Sequence, residues 1–121
     1  MQFLLSVHHP LNGSGDYVAE LPAGIEAETV YAAVGSFNAD LEAEGLWVFA
    51  GGLQPPNTES VIDASGTNLS QDGPSAQSGE ALGGFWVIDV ADETTAQDWG
   101  RRASAACQRP VRIRPFQGME G

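Results

Sequence analysis

Lysine is absent from this 121-residue sequence, and residues 1–100 contain no arginine either. The five cations are Arg101, Arg102, Arg109, Arg112 and Arg114, against 16 Asp and Glu, for a formal net charge of −11. Phosphate recognition needs neutralising Lys and Arg, so the composition speaks against nucleic acid as a partner. Surface carboxylates are the expected partners of the arginines. The single cysteine, Cys107, permits no internal disulfide and fits a reducing, cytoplasmic setting. No apolar run approaches the ~20 residues that a membrane-spanning helix requires. The opening "MQFLLSVHHP" has no basic n-region and no small-residue cleavage site, so it reads as a first strand rather than a signal peptide. Two adjacent histidines and one distant cysteine offer no metal-ligand spacing; neither a metal nor another cofactor is expected.

What is present describes one soluble globular domain: 42% hydrophobic and 17% charged residues in a length suited to a single core. Its expected limits are residues 1–116, with 117–121 as a short C-terminal tail. The Ala- and Gly-rich, lysine-free composition is that of a GC-rich bacterial genome.

The segment 2–9, "QFLLSVHH", is apolar enough for a central strand, which Pro10 ends by removing a ladder donor. Residues 10–24 have the composition of a loop. Between Glu26 and Glu44 the period becomes helical, with Val30, Val34, Phe37 and Leu41 on one stripe and Gly45 as the natural C′ residue. The acidic positions Glu26, Glu28, Asp40, Glu42 and Glu44 form its solvated side. "LWVFA" (46–50) is a strand ended by Gly51-Gly52, and "SVIDA" and "TNLSQ" form a hairpin around Ser65-Gly66. A polar loop with Asp72, Gly73 and Pro74 leads through Gly83-Gly84 into the strand "FWVIDV" (85–90). Asp92 caps a second helix carrying Ala96, Trp99, Gly100 and Ala103 on one face and ending near Ser104–Cys107. "PVRIRPF" (110–116) is the last strand.

This order predicts an α+β fold: a ferredoxin-like βαββαβ unit with an extra hairpin, an antiparallel sheet and two helices on one face. The strands carry large apolar groups on both faces: Phe85 and Val87 point one way, Trp86 and Ile88 the other. One face therefore lacks an intramolecular cover. Trp47 and Trp86, with Leu4-type neighbours, are expected there and at a dimer interface. Burying 800 Å² of apolar surface at ~25 cal/mol per Å² is worth about 20 kcal/mol gross, before association costs.

The runs "FNADLEAEGLWVFAGGLQPP" (37–56) and "DGPSAQSGEALGGFWVIDV" (72–90), then a helix and "VRIRPF" (111–116), resemble YCII-related or DGPF-domain proteins. The resemblance runs from Phe3 to Phe116. Its most specific pieces are Leu53-Gln54-Pro55-Pro56 and Asp72-Gly73-Pro74 followed by Glu80 and Gly83-Gly84. It implies a dimeric α+β barrel, in which two ferredoxin-like subunits pack sheet to sheet. One related branch is associated with dehydrochlorination of aromatic compounds. A His–Asp pair has been proposed for YCII-type members, while DGPF-type members are considered with sigma-factor systems. Two departures stand out. Ser75 occupies the place where the family name implies phenylalanine, and the helix 26–44 lacks the histidine that YCII-type members carry near its start.

Candidate catalytic groups are therefore His8 and His9, histidine being the side-chain type whose unperturbed pKa lies nearest neutrality, with Asp72 as a carboxylate at a cleft mouth. By alternation one histidine faces the helices and the other the uncovered side. Asp72 has the competing role of accepting backbone N–H bonds within a turn. Asn38, Trp47, Gln54, Ser75 and Trp86 are candidate substrate-binding residues for a small apolar or aromatic ligand. The same aromatic groups also have simple core and interface roles. Two functions follow: a cofactor-independent small-molecule enzyme or ligand-binding protein working by proton transfer or elimination, or a non-catalytic accessory protein binding a regulatory partner. A homodimer is expected in either case, with no membrane contact.

Overall fold

The structure, a computed structural model, describes residues 1–18, 21, 23–66 and 71–118, the side chain of Gln71 excepted. Strand β1 (Gln2–Pro10) is followed by helix α1 (Ala27–Ala43) and strand β2 (Trp47–Gly52). A 3-10 turn at Pro56–Thr58 leads to the short strands β3 (Ser60–Val61) and β4 (Gln71–Asp72). Strand β5 (Glu80–Asp89), helix α2 (Glu93–Cys107) and strand β6 (Val111–Pro115) complete the chain. The main sheet has the order β2-β5-β1-β6, antiparallel throughout, which is the ferredoxin-like arrangement.

Both helices lie where the sequence places them. Glu26 is the N-cap of α1, and Gly45 follows its C-cap with φ +72°, a conformation costly for any residue with a Cβ. Asp92 caps α2, its carboxylate accepting from the Thr95 N–H at 2.8 Å. The four residues assigned to the inner face of α2, Ala96, Trp99, Gly100 and Ala103, are all buried. At Gly100 the helix lies so close to β6 that a Cβ would stand 2.4 Å from Ile113 Cδ1.

The helices share one sheet face, and the core lies between them and it: Phe3, Leu5 and Val7 of β1, Trp86 and Ile88 of β5, Phe37 and Leu41 of α1, Trp99 of α2. Phe37 meets Trp86 and Trp99 edge-on, with ring centroids 5.1 and 5.8 Å apart. Arg102 lies over the Trp99 ring and reaches Asp40 at 2.5 Å, tying the two helices together. Asp40 is thus engaged across the helix pair rather than simply solvated. Arg101 pairs with Asp98 and Arg112 with Glu80, as expected of arginines in an acidic chain.

Two expectations change. Trp86 is 6% exposed on the helix side, and the cross-strand pair of Trp47 with Ile88 puts Trp47 there too. The uncovered face instead carries Leu4, Phe49, Phe85 and Val87, with Phe49 and Phe85 rings 5.9 Å apart. Alternation separates the two sets but does not say which set the helices cover. Second, β5 starts at Glu80 rather than Phe85, because β1 continues to pair with it through Gly83-Gly84. Of the expected 60–72 hairpin, the described residues pair Ser60 with Asp72 and Val61 with Gln71. Ser65 N–H and Oγ both bond to the Asp63 carboxylate, giving the turn there, while residues 67–70 lie outside the described residues.

Candidate functional site

A cleft of about 750 Å³ opens on the helix side of the sheet, beneath the N-terminal half of α1. It exists because the two layers do not meet there. On α1 only Phe37 and Leu41 are buried; Val30 and Val34, further up the same stripe, face the cleft. Opposite them the sheet presents Ala50, Gly52, Gly83 and Gly84, which provide almost no side chain to fill the gap. A Cβ added to Gly52 would meet nothing within 4 Å. Trp47 and Trp86 line the cleft, and Tyr31, 74% exposed, stands at its mouth. Trp86 Nε1–H donates to Asn38 Oδ1 at 2.7 Å, so the polar edge of one wall is internally satisfied.

The polar groups gather at one rim. His9 lies on the helix side, in register with Phe3, Leu5 and Val7. Its ring crosses Gly83, the extra residue of a bulge between the Val7–Gly84 and His8–Leu82 pairs. A Cβ at Gly83 would stand 2.2 Å from His9 Cδ2, so the ring sits where only glycine permits it. Tyr17 covers the ring from the other loop, centroids 4.8 Å apart at 39°. Burial, then the charges of Arg109 and His8, lowers the His9 pKa below its ordinary value of about 6.5, so the imidazole is neutral at pH 7. A neutral ring carries one free lone pair, which is what a general base needs.

Arg109 and Cys107 complete the rim. Helix α2 ends with Gln108 in the left-handed conformation, φ 58°, turning the chain so that Arg109 reaches the cleft. The Arg109 carbonyl accepts from Ser104 Oγ at 2.6 Å, fixing that backbone. Burial raises the Cys107 thiol pKa, which leaves it protonated and poorly nucleophilic. Among the described residues, no three His, Cys, Asp or Glu side chains come together at metal-binding reach.

The sequence candidates divide between places. His9, Asn38, Trp47 and Trp86 line this cleft. His8 is on the opposite sheet face, its Nε2 3.0 Å from Ser6 Oγ. Gln54 and Ser75 line a separate cleft of about 460 Å³ walled by Pro55, Pro56 and Pro74. Asp72 lines neither; it sits in β4 opposite Ser60. The carboxylate that holds the DGP loop belongs to Glu59, which accepts from the Ser75 N–H at 2.5 Å. The loop also docks on residues 11–15: Leu11 N–H donates to Gly79 O at 2.8 Å and Gly15 N–H to Gln77 O at 3.2 Å.

The residues that sequence reasoning missed are Tyr17, Arg109 and the glycine floor. The signal for the floor was present: two Gly-Gly pairs, 51-52 and 83-84, flank the two strands that become neighbours. The signal for Tyr17 and Arg109 was not, since both arrive from loops.

The fold is an α+β sandwich of one antiparallel sheet and two helices, with an apolar cleft between the layers. The family model for the YCII-related domain matches residues 16–117, and the chain belongs to that family. No curated protein matches the chain. No helix among the described residues is long and apolar enough to cross a membrane.

Proposed function

We propose that this chain binds a small, planar, largely apolar molecule in the cleft under α1 and moves a proton on it with His9, by proton transfer or elimination. The observation that carries the reading is an imidazole packed against Tyr17 and fixed over Gly83, at the rim of an apolar cleft large enough for a ring system. Such steps require a base and an orienting wall, and no cofactor. His9 is the base; Trp47, Trp86 and the glycine floor orient the ligand. The test uses 2-tetralone, a planar ketone with acidic C–H bonds. Exchange of its α-protons in deuterated water, followed by NMR, is expected to be accelerated by the wild-type protein and not by His9→Gln. Equal acceleration by both, or none by either, refutes the reading.

A second copy of the chain is the proposed cover for the open sheet face. Four strands ~4.8 Å apart and a nine-residue β1 give a face of at most roughly 19 by 30 Å, about 570 Å², so flanking loops must add to it to reach the ~800 Å² per partner of a stable interface. The face also carries Arg112 and Arg114, paired across the ladder with Ser6 and Leu4. In a chain of net charge −11, two copies meet with least repulsion there. Sedimentation velocity at tens of micromolar is expected to give a dimer for wild type and a folded monomer for Phe85→Glu. A monomeric wild type overturns the pairing.

A further inference from the structure

We infer that the ligand of this cleft carries a carboxylate, held by Arg109 at the rim while its planar apolar body lies over the glycine floor. The inference rests on the cleft reading above and narrows it to one class of ligand, planar apolar monocarboxylates.

The charge distribution leads to it. The chain holds 16 carboxylates, yet among the described residues lining this cleft there is no Asp or Glu. The five arginines all lie between positions 101 and 114, and four are exposed on the outer surface. Arg109 is the half-buried one, and it is the cation on the cleft wall. Among the described residues, this apolar space is thus lined without acids and has a cation at its edge. An anion would be repelled by nearly all of the remaining surface, so the local exception marks where one is accommodated.

The chemistry of the side chain fits. A guanidinium presents five N–H donors in a planar fork that matches a carboxylate, and it can serve more than one acceptor at a time. Partial burial strengthens that contact relative to the same pair in water. The αL turn at Gln108 and the Ser104 bond to the Arg109 carbonyl fix the base of the side chain, so little backbone ordering is left for binding. His9 and Arg109 line the same cleft, so a ligand held by one is within the space served by the other.

Titration calorimetry with 2-naphthoate and 2-naphthamide tests this, because the two differ in charge and hardly in shape. Wild type is expected to bind the carboxylate at least about tenfold more tightly than the amide at low salt. Arg109→Gln is expected to bind the two alike, and Arg109→Lys, which keeps the charge but loses the fork, to fall between. Gly52→Val, which fills the floor without meeting a neighbour, is expected to lose both ligands. If wild type binds the amide as well as the acid, or Arg109→Gln keeps the preference, the carboxylate inference fails and the cleft reading stands. If wild type binds neither compound, both fail. Should Arg109→Gln not fold, as judged by circular dichroism, the wild-type ratio and the Arg109→Lys ratio still decide.

Discussion

Replacing Gly83 by alanine probes the geometry on which the site depends. The added Cβ would stand 2.2 Å from His9 Cδ2 and 2.5 Å from Nε2, whereas carbon atoms rest at about 3.5–4 Å. The imidazole must therefore move by roughly 1 Å or more. Leaving the Tyr17 stack forfeits about 0.5–1.5 kcal/mol, and an off-rotamer side chain costs a similar ~0.5–1.5 kcal/mol. Against this, exchanging Gly for Ala in a strand gains about 0.5–1 kcal/mol by reducing backbone freedom in the unfolded chain. The single-variant change is thus a small difference of opposed effects, and the informative quantity is the coupling. In a His9→Ala background there is no ring to displace, so Gly83→Ala should become neutral or stabilising. A double-mutant cycle by urea unfolding should return a coupling of about 1–3 kcal/mol, equivalent to several degrees in melting temperature. A coupling below about 0.5 kcal/mol, the ordinary scatter of independent sites, would show that the ring does not rest on Gly83.

Two further outcomes follow from the same rim. The folded-state pKa of His9 is lowered, by burial first and then by Arg109 and His8, so between that value and about 6.5 the unfolded chain binds more protons. Stability should therefore rise with pH through this window and be lost as pH falls through it; melting temperatures from pH 7.5 to 5 should drop for wild type and less for His9→Gln, and superimposable profiles would contradict the placement. The lowered carboxylates Glu59 and Asp92 titrate below this range, where their contribution is lost in turn as they protonate. Asn38→Leu removes the acceptor of the Trp86 indole N–H, and losing this part-buried bond should cost about 0.5–1.5 kcal/mol in urea unfolding; unchanged stability would mean the bond has no net weight.

Local signals with one physical reading were legible in the sequence. Asp92, followed by apolar residues at helical spacing, specified α2 down to its buried face. Period-two alternation sorted Phe85 and Val87 from Trp86 and Ile88 correctly. It could not tell which set the helices cover, since that depends on crossover geometry and not on the strand. For the same reason the choice between His8 and His9 stayed open until β1 was seen in its sheet. The stripe Val30-Val34-Phe37-Leu41 gave the side of α1 that faces the sheet, but not that the sheet beneath its first half has no side chains. Gly83-Gly84 looked like the end of a strand because glycine weakens isolated strands; pairing with β1 on one side and β2 on the other overrides that tendency.

The glycine floor links fold and site. Each glycine inside a strand costs about 0.5–1 kcal/mol relative to alanine, a noticeable fraction of a stability of ~5–15 kcal/mol. Gly51, Gly52, Gly83 and Gly84 all lie within β2 or β5, and none has positive φ. Turn geometry therefore does not demand them. Gly83 is required by the His9 ring, and at Gly84 a Cβ would press on the Gly51 carbonyl at 3.2 Å. Gly52 is required by neither, because a side chain there meets nothing. What its absent side chain provides is depth under α1, in the part of the sandwich where Val30 and Val34 face open space instead of a core. A sequence selected for stability alone would fill that space from either layer. That neither layer does so is the physical ground for reading the cleft as a place for another molecule.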